Sequence, residues 1–408
     1  MKIVQVNKFY YPRGGADIYA LALSDLLRAE GHEVIPFSMH HPENLATPYA
    51  RYFVSHVDLK KREGFFSDLK KFGRIVYSFE ARRKFARLLR DVRPDVVHVH
   101  NVYHQLSPSV LDAARHWRVP VVMTVHDYKL FNPNYSMFGH GGVICEHGND
   151  GRFWETMRYN CMGSRAASFT VMCEAYLHRW RHTYLRAVRR FVSPSMFLIN
   201  FAVARGWKRS QFVHLPSFVR PIRPPRAGGR ECILYFGRLS KEKGLSSLLE
   251  AAKMAHDVPV VIAGRGPEEA ALRSQAGALG LRNVTFAGFK EGAELWRMVV
   301  GARAVVVPTM SYENYPLSVI EAQSLGKIVI ATRRGGLPEM VHDGENGFLV
   351  NPGDSLELAK TMERVWQMPA DERGAMEGAA RARVLRENDP ADHVRRIVAL
   401  YKSVLSRS

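Results

Sequence analysis

Glu313 and Glu321 are separated by seven residues, on either side of Pro316, in a stretch whose residue types suit a ligand carrying phosphate and sugar. Before them runs Ala304-Val305-Val306-Val307, an uninterrupted apolar stretch typical of a buried parallel strand. After them Leu317, Ile320, Ala322 and Leu325 recur at helical spacing. A strand, a loop and a helix are expected, with Pro316 as the first helical residue, because its missing N–H costs nothing there and its fixed φ suits a helix. The free amides of such a first turn attract an anion, by about 0.3–1 kcal/mol for an exposed charge. Helical side chains lean toward the N-terminus, so Glu321 is expected to point back to the space that Glu313 approaches from the loop. Carboxylates accept hydrogen bonds from hydroxyls, and two of them beside a phosphate-binding helix start suit a nucleotide sugar. A solvated Glu on an ordinary helix has the same local pattern, so this stretch alone leaves both readings open.

A second group of residues supplies cations. The run Gly237-Arg238-Leu239-Ser240-Lys241-Glu242-Lys243-Gly244 follows a strand, so Arg238 leaves the strand and Lys243 stands at the next helix start. An Arg fork and a Lys point charge on one face suit a diphosphate, with charge-assisted bonds of roughly 1.5–3 kcal/mol each. Gly264-Arg265-Gly266 allows close backbone approach to a base but lacks the third glycine of a dinucleotide fingerprint. In the first half, Gly14-Gly15 follows the first strand, and His126-Asp127 ends another, at the edge where ligands of parallel sheets bind. His98 and His100 show that histidines also lie within strands here. The chain holds no Asp-any-Asp pair, the usual handle for a divalent metal on a diphosphate. The expectation is therefore that the charge of a bound diphosphate is met by protein groups, without a metal or other cofactor.

The elements that must position these residues alternate strand and helix throughout. Strands are expected at 2–7, 33–38, 95–100, 119–125 and 191–192, then at 233–236, 259–262, 284–286, 304–307 and 328–331, with amphipathic helices between. A helix is expected to be capped near Ser193. Residues 128–165 show no periodicity, and 214–230 hold Pro216, Pro221, Pro224, Pro225, Gly228 and Gly229, which mark a linker. Two doubly wound α/β domains follow, 1–215 and 216–388, with a long amphipathic tail helix over 389–408.

Length, 408 residues, fits two domains, and the chain is 46% hydrophobic and 24% charged, as folded soluble proteins are. A net charge of +19 calls for an anionic partner: nucleic acid, an acidic membrane surface or a charged small molecule. Cys145, Cys161, Cys173 and Cys232 are too few for a disulfide framework, and no secretory or membrane-spanning run is present, so a cytoplasmic protein is expected. Residues 59–93 are rich in Lys and Arg, with Phe65, Phe66 and Phe72 among them, and 179–209 hold no Asp or Glu. Both suit the inner face of a cell membrane, with a lipid-linked saccharide as acceptor.

Taken together, Glu313 and Glu321 at their spacing, Arg238 and Lys243, Gly335-Gly336-Leu337-Pro338-Glu339 and Asn346-Gly347 resemble glycosyltransferase family 4. The likeness covers the C-terminal half and, more loosely, Gly14-Gly15 and His126. It implies a GT-B fold, two Rossmann-like domains facing across a cleft, and retaining transfer of a hexose from a uridine or guanosine diphosphate sugar. It further implies that Glu321 holds the ribose, that Glu313, Asn314, Tyr315 and Leu317 meet the donor sugar, and that Arg238, Lys243 and Gly15 hold the diphosphate. Gly266, Phe289 and Lys290 would border the base, His126 would sit by the sugar, and the tail helix would cross back onto the first domain. Some relatives carry four cysteines in the 128–165 insertion. Only Cys145 and Cys161 match here, with His147 as a third potential ligand, so no zinc site is expected. Two other classes remain: a nucleotide-sugar epimerase of similar form, disfavoured by the long basic insertion, and a non-catalytic basic protein binding nucleic acid or membrane.

Overall fold

The computed structural model describes residues 1–57, 65–139, 141–220, 222 and 231–406, and of 65–69 the backbone alone. The chain divides into two compact units, one of Met1–His140, Cys145–Leu215 and Ala391–Ser408, the other of Gly141–Ile144 and Pro216–Pro390. The first is built on β1 (Lys2–Val6), β2 (Glu33–Phe37), β3 (Val96–Val99), β4 (Val121–Thr124), β5 (Val188–Ser193) and β6 (Phe212–His214). All pairs are parallel, in the order β2-β1-β3-β4-β5-β6. The second has β7 (Ile233–Phe236), β8 (Val260–Ala263), β9 (Val284–Gly288), β10 (Ala304–Val307), β11 (Ile328–Thr332) and β12 (Gly347–Val350), parallel in the order β12-β11-β10-β7-β8-β9.

Each order reverses once. In the first unit the chain goes from β1 to β2 on one side and then to β3 on the other; in the second it goes from β7 to β8 and β9, then to β10. The loops leaving the carboxyl ends of β1 and β3, and of β7 and β10, therefore diverge and leave a crevice. Strands buried on both faces need apolar residues at every position, which is why they read as continuous runs. In the second unit Ile233, Tyr235, Val260, Ile262, Ala304, Val306, Ile328 and Ile330 face one core, and Leu234, Ala263, Val305, Val307, Val329 and Ala331 face the other.

Several local expectations are corrected. Pro316 lies just outside the helix Leu317–Ser324, with an extended ψ of 125°. Its ring sets φ at −67°, which a helix would accept, so it is ψ alone that leaves Pro316 at the N-cap. The helix Met196–Val203 is capped by Ser195, whose side chain accepts from Leu198 N, while the Ser193 hydroxyl donates to Ser195 O. Strands β6 and β12 were not expected: one has only three residues, the other opens on a glycine. Lys243 belongs to a 3₁₀ turn, Lys241–Lys243, and the next helix, Leu245–Met254, begins only after Gly244.

The tail helix Pro390–Leu405 packs within the first unit, burying Val394, Ile397, Leu400, Tyr401 and Val404. Its Tyr401 hydroxyl lies 2.6 Å from His98 Nδ1, and His393 Nε2 lies 2.8 Å from the Tyr19 hydroxyl. Asn388, where the preceding helix ends, donates to Ser217 O (2.6 Å) and to the Tyr315 hydroxyl (2.8 Å), and its carbonyl accepts from Val219 N. This fastens residues 217–219 inside the second unit. Of the linker expected over 214–230, residues 221 and 223–230 lie outside the described residues, as do 58–64 of the basic segment and the side chains of Phe65 and Phe66.

Candidate active site

In the second unit the crevice between β7 and β10 gathers the residues singled out from the sequence. The β7 loop brings Lys243 against the β10 loop, where its Nζ lies 2.5 Å from Glu313 Oε1, and Thr309 Oγ1 donates to the same oxygen at 3.3 Å. Burial alone would lower the Lys243 pKa, but the Glu313 carboxylate overcomes this and raises it, so Lys243 is a fixed cation. The loop is stitched together by backbone: Met310 N donates to Glu242 O and Gly336 N to Glu313 O. Gly335 has φ +58°, and a Cβ there would fall 2.0 Å from Glu313 O, so only glycine lets these loops touch. Gly266 has the same need, since a Cβ would stand 2.1 Å from Leu239 O.

Arg238 is exposed, with no carboxylate in ion-pair range among the described residues, while the Tyr235 hydroxyl donates to its carbonyl at 2.7 Å. It is thus held by its backbone, and its guanidinium is left for an anion. Asn314 is buried, and Tyr315 is bonded through Asn388, so neither lies loose in the loop. Leu317 begins the helix, and Glu321 lies one turn on. The Glu321 carboxylate has no hydrogen-bond partner among the described residues, and burial pushes its pKa up to about 7, with Arg220 opposing. A carboxylate so placed gains from any hydroxyl that reaches it.

At the ends of β8 and β9, Phe289 is half exposed (51%), and the Arg265 guanidinium lies 4.5 Å from its ring centroid. Phe289 was singled out from the sequence, but Arg265 only as the middle of a glycine pair. Lys290 pairs with Glu294. Arg383, which the sequence did not single out, donates to Glu339 O and Met340 O and supports the short helix Leu337–Met340 after Gly336.

The first unit presents a different chemistry. Gly15 is exposed as the first residue of the helix Gly15–Ala29, next to the β1 end, and Gly14 N-caps it with extended φ of −153°. Asp17 in the first turn is buried and accepts from Asn7 Nδ2 at 2.8 Å. At the ends of β3 and β4, His100 and His126 meet, Nδ1 to Nε2 at 3.1 Å, and His100 Nε2 lies 2.6 Å from Gln5 Oε1. Tyr19 turns its ring edge to His126 at 5.3 Å and to His393 at 5.6 Å. His126 is partly exposed yet closely surrounded, and burial lowers its pKa to about 3. It is therefore a neutral imidazole. Asp127 next to it is raised by burial, against the opposing hydrogen bonds of Tyr103 and the Lys129 amide.

Cys145 and Cys161 converge, with their sulfurs 2.7 Å apart. His147 instead stacks on Tyr159, centroids 3.6 Å apart, and among the described residues no three His, Cys, Asp or Glu side chains converge as a metal set.

Residues 13–223, more than half of the chain, match the model of Glycosyltransferase Family 4, and residues 222–383 that of Glycosyl transferases group 1. An uncharacterized glycosyltransferase of Methanocaldococcus jannaschii is 25% identical over 90% of this chain and 89% of its own. The O-antigen chain mannosyltransferase C of Escherichia coli is 31% identical over 43% of this chain and 48% of its own. In fold, the chain resembles an Anabaena protein solved in complex with UDP and glucose: TM-score 0.67, 18% identity, 99% of this chain and 100% of that one covered. The two parallel six-stranded sheets, each with one reversal of order, and the family match across 13–223 together place this chain in glycosyltransferase family 4, as a glycosyltransferase of GT-B fold.

Proposed function

We propose that this glycosyltransferase moves a hexose, with retention of configuration and without a metal, from a uridine or guanosine diphosphate sugar to a lipid-linked saccharide during cell-surface polysaccharide or glycolipid synthesis. The observation that carries the donor assignment is the Lys243–Glu313 pair at 2.5 Å in the β7/β10 crevice, with exposed Arg238 beside it. Lys243 and Arg238 hold the diphosphate, joined by the backbone at Gly15. Glu313, Asn314, Tyr315 and Leu317 meet the sugar, Glu321 takes the ribose hydroxyls, and Gly266, Phe289 and Lys290 border the base. His126, neutral, contacts the sugar.

The chemistry asked of these residues is electrostatic. Negative charge grows on the leaving diphosphate, and fixed cations meet it without reorganising. Glu313 holds Lys243 in place and keeps it protonated. In a same-face displacement the acceptor hydroxyl forms its bond to the anomeric carbon as the sugar–phosphate bond breaks, and the departing phosphate oxygen takes the hydroxyl proton. No enzymic nucleophile is required. The relative named for O-antigen chain mannosyl transfer supports a saccharide acceptor.

Docking on an anionic membrane is supported by one face of the first unit. Arg115, Trp180, Arg181, Thr183 and Arg186 line a cavity of about 410 Å³ with Asp112, and Trp180 is 78% exposed. Arg and exposed Trp side by side suit a lipid–water interface. Among the described residues no helix is long and apolar enough to cross a membrane.

A panel of nucleotide sugars scored by thermal stabilisation, followed by transfer assays with and without chelator, tests the donor and the metal together. Stabilisation by one uridine or guanosine diphosphate sugar and unchanged activity in chelator are expected. Loss of activity in chelator, restored by magnesium or manganese, overturns the metal-free mechanism.

A further inference from the structure

We propose that Gln5 and His100 set the tautomer of His126, holding its proton on Nε2 and leaving Nδ1 as a hydrogen-bond acceptor for a substrate hydroxyl. The inference rests on the reading of His126 as a residue that meets substrate, and it makes Gln5 and His100 positioning residues for it.

His100 Nε2 lies 2.6 Å from Gln5 Oε1, an amide oxygen that only accepts, so His100 Nε2 must carry a proton. His100 lies in the interior at 0% exposure, where burial, reinforced by His98 and His126, keeps the ring well below its ordinary pKa and therefore neutral. A neutral ring with Nε2–H has a bare Nδ1. That atom lies 3.1 Å from His126 Nε2, and two bare nitrogens cannot share a hydrogen bond, so His126 Nε2 donates. His126 is itself neutral. Its Nδ1 is therefore the lone-pair nitrogen, and it has no hydrogen-bond partner among the described residues, on a ring that is partly exposed.

Sequence position explains how the order is imposed. Gln5, His98 and His100 come from β1 and the end of β3, which are neighbours in the sheet, with Gln5 in register with His98. The sheet thus presents a fixed oxygen at one end of the relay and His126 at the other. Beside it, His98 is held by the Tyr401 hydroxyl at Nδ1 and by Thr124 Oγ1 at Nε2, so the tail helix closes the pocket in which the relay sits. An accepting Nδ1 selects a substrate group that can donate, namely a hydroxyl, over an ether or a carbonyl oxygen.

The tautomer can be read directly by nitrogen NMR of protein labelled with ¹⁵N-histidine, the His126 signals being those lost in His126→Asn. Expected in the wild-type protein are a protonated Nε2 and a bare Nδ1. Gln5→Met, which removes the accepting oxygen, should give a mixture of both tautomers at His126. A wild-type His126 protonated on Nδ1, as a reversed Gln5 amide would impose, overturns the relay without recourse to any variant. Unchanged His126 signals in a folded Gln5→Met protein also overturn it. Turnover separates this from the functional reading: His126→Asn should be at least ~10²-fold slower with the nucleotide sugar that stabilises the protein most. Full turnover of that variant overturns the substrate contact whatever the tautomer, whereas a wrong tautomer with lowered turnover overturns the relay alone.

Discussion

At the scale of single residues, Lys243 and Glu321 differ in what their charge does. Lys243 is already paired, so its charge is present at every physiological pH and is aimed by Glu313. Lys243→Ala and Arg238→Ala should each lower kcat/KM by at least ~10²-fold, since each removes a cation facing the leaving group; Arg238→Ala should melt close to wild type, whereas Lys243→Ala also leaves Glu313 without its ion pair and should melt lower. Near-normal turnover in both would sink the clamp. Glu321 carries a charge the fold resists. Its folded pKa of about 7 is above that of an ordinary Glu, so the folded state holds the extra proton. Stability from this group is full below about 4.5 and is lost as pH rises through about 7. Glu321→Gln, neutral throughout, should therefore unfold at a higher temperature than wild type at pH 8 and match it near pH 4.5, by circular dichroism. The same substitution should weaken donor binding by calorimetry. In wild type at pH 6–7, donor binding should release a proton, because ribose hydroxyls favour the ionised carboxylate. Proton uptake or no exchange, measured in buffers of different ionisation enthalpy, would contradict the ribose role.

At the scale of elements, loops here are held by interactions that sequence periodicity does not show. The β10 loop is kept in place by Met310 N on Glu242 O, Gly336 N on Glu313 O and the Asn388 bonds to Ser217 O and the Tyr315 hydroxyl. Asn388→Ala leaves Val219 N bonded to its carbonyl but strips both side-chain bonds, and should cost about 1–3 kcal/mol in denaturant unfolding. Gly335→Ala meets both a left-handed φ of +58° and Glu313 O, so it should cost activity more than Asn388→Ala does, since it shifts the carboxylate that aims Lys243. An active, fully stable Gly335→Ala protein would show that this loop contact is not needed. In the tail helix, Tyr401→Phe leaves buried His98 Nδ1 without its hydrogen-bond partner and should destabilise the protein by roughly 1–3 kcal/mol.

At the scale of the molecule, the net charge of +19 is less free than composition suggests. Arg74 and Lys84 are both bound to Glu80, whose carboxyl, despite burial, is held down at about 2 by Ser55, Lys84 and Arg74. Lys70, Arg82 and Arg83 are exposed, as are Arg115 and Arg186 beside Trp180. Each basic side chain near an anionic surface contributes about 1 kcal/mol, decaying over about 8–10 Å at physiological salt. Co-sedimentation with vesicles should therefore require anionic lipid and weaken with salt. Reversing charge at Lys70, Lys71, Arg82 and Arg83 should release the protein while leaving donor binding intact. Binding indifferent to both lipid charge and salt would rule this mode out.

The sequence by itself determined the doubly wound α/β class and most strand positions, because parallel strands buried on both faces must be apolar at every residue and such runs survive in one dimension. It also named Glu313, Glu321, Arg238, Lys243 and His126, through residue type and distance from a strand end. Tertiary structure alone decided which of these touch. That Lys243 lies on Glu313 follows from β7 and β10 being neighbours, 70 residues apart in the chain. That Gln5 orders His100, and His100 orders His126, follows from β1, β3 and β4 lying side by side. Strands β6 and β12, too short or too glycine-led to carry a pattern, form because a neighbouring strand offers them its free edge. Burial of Glu321, pairing of Arg74 and Lys84, and the anchoring by Asn388 are likewise set by which surfaces meet, and residue spacing along a chain does not encode that.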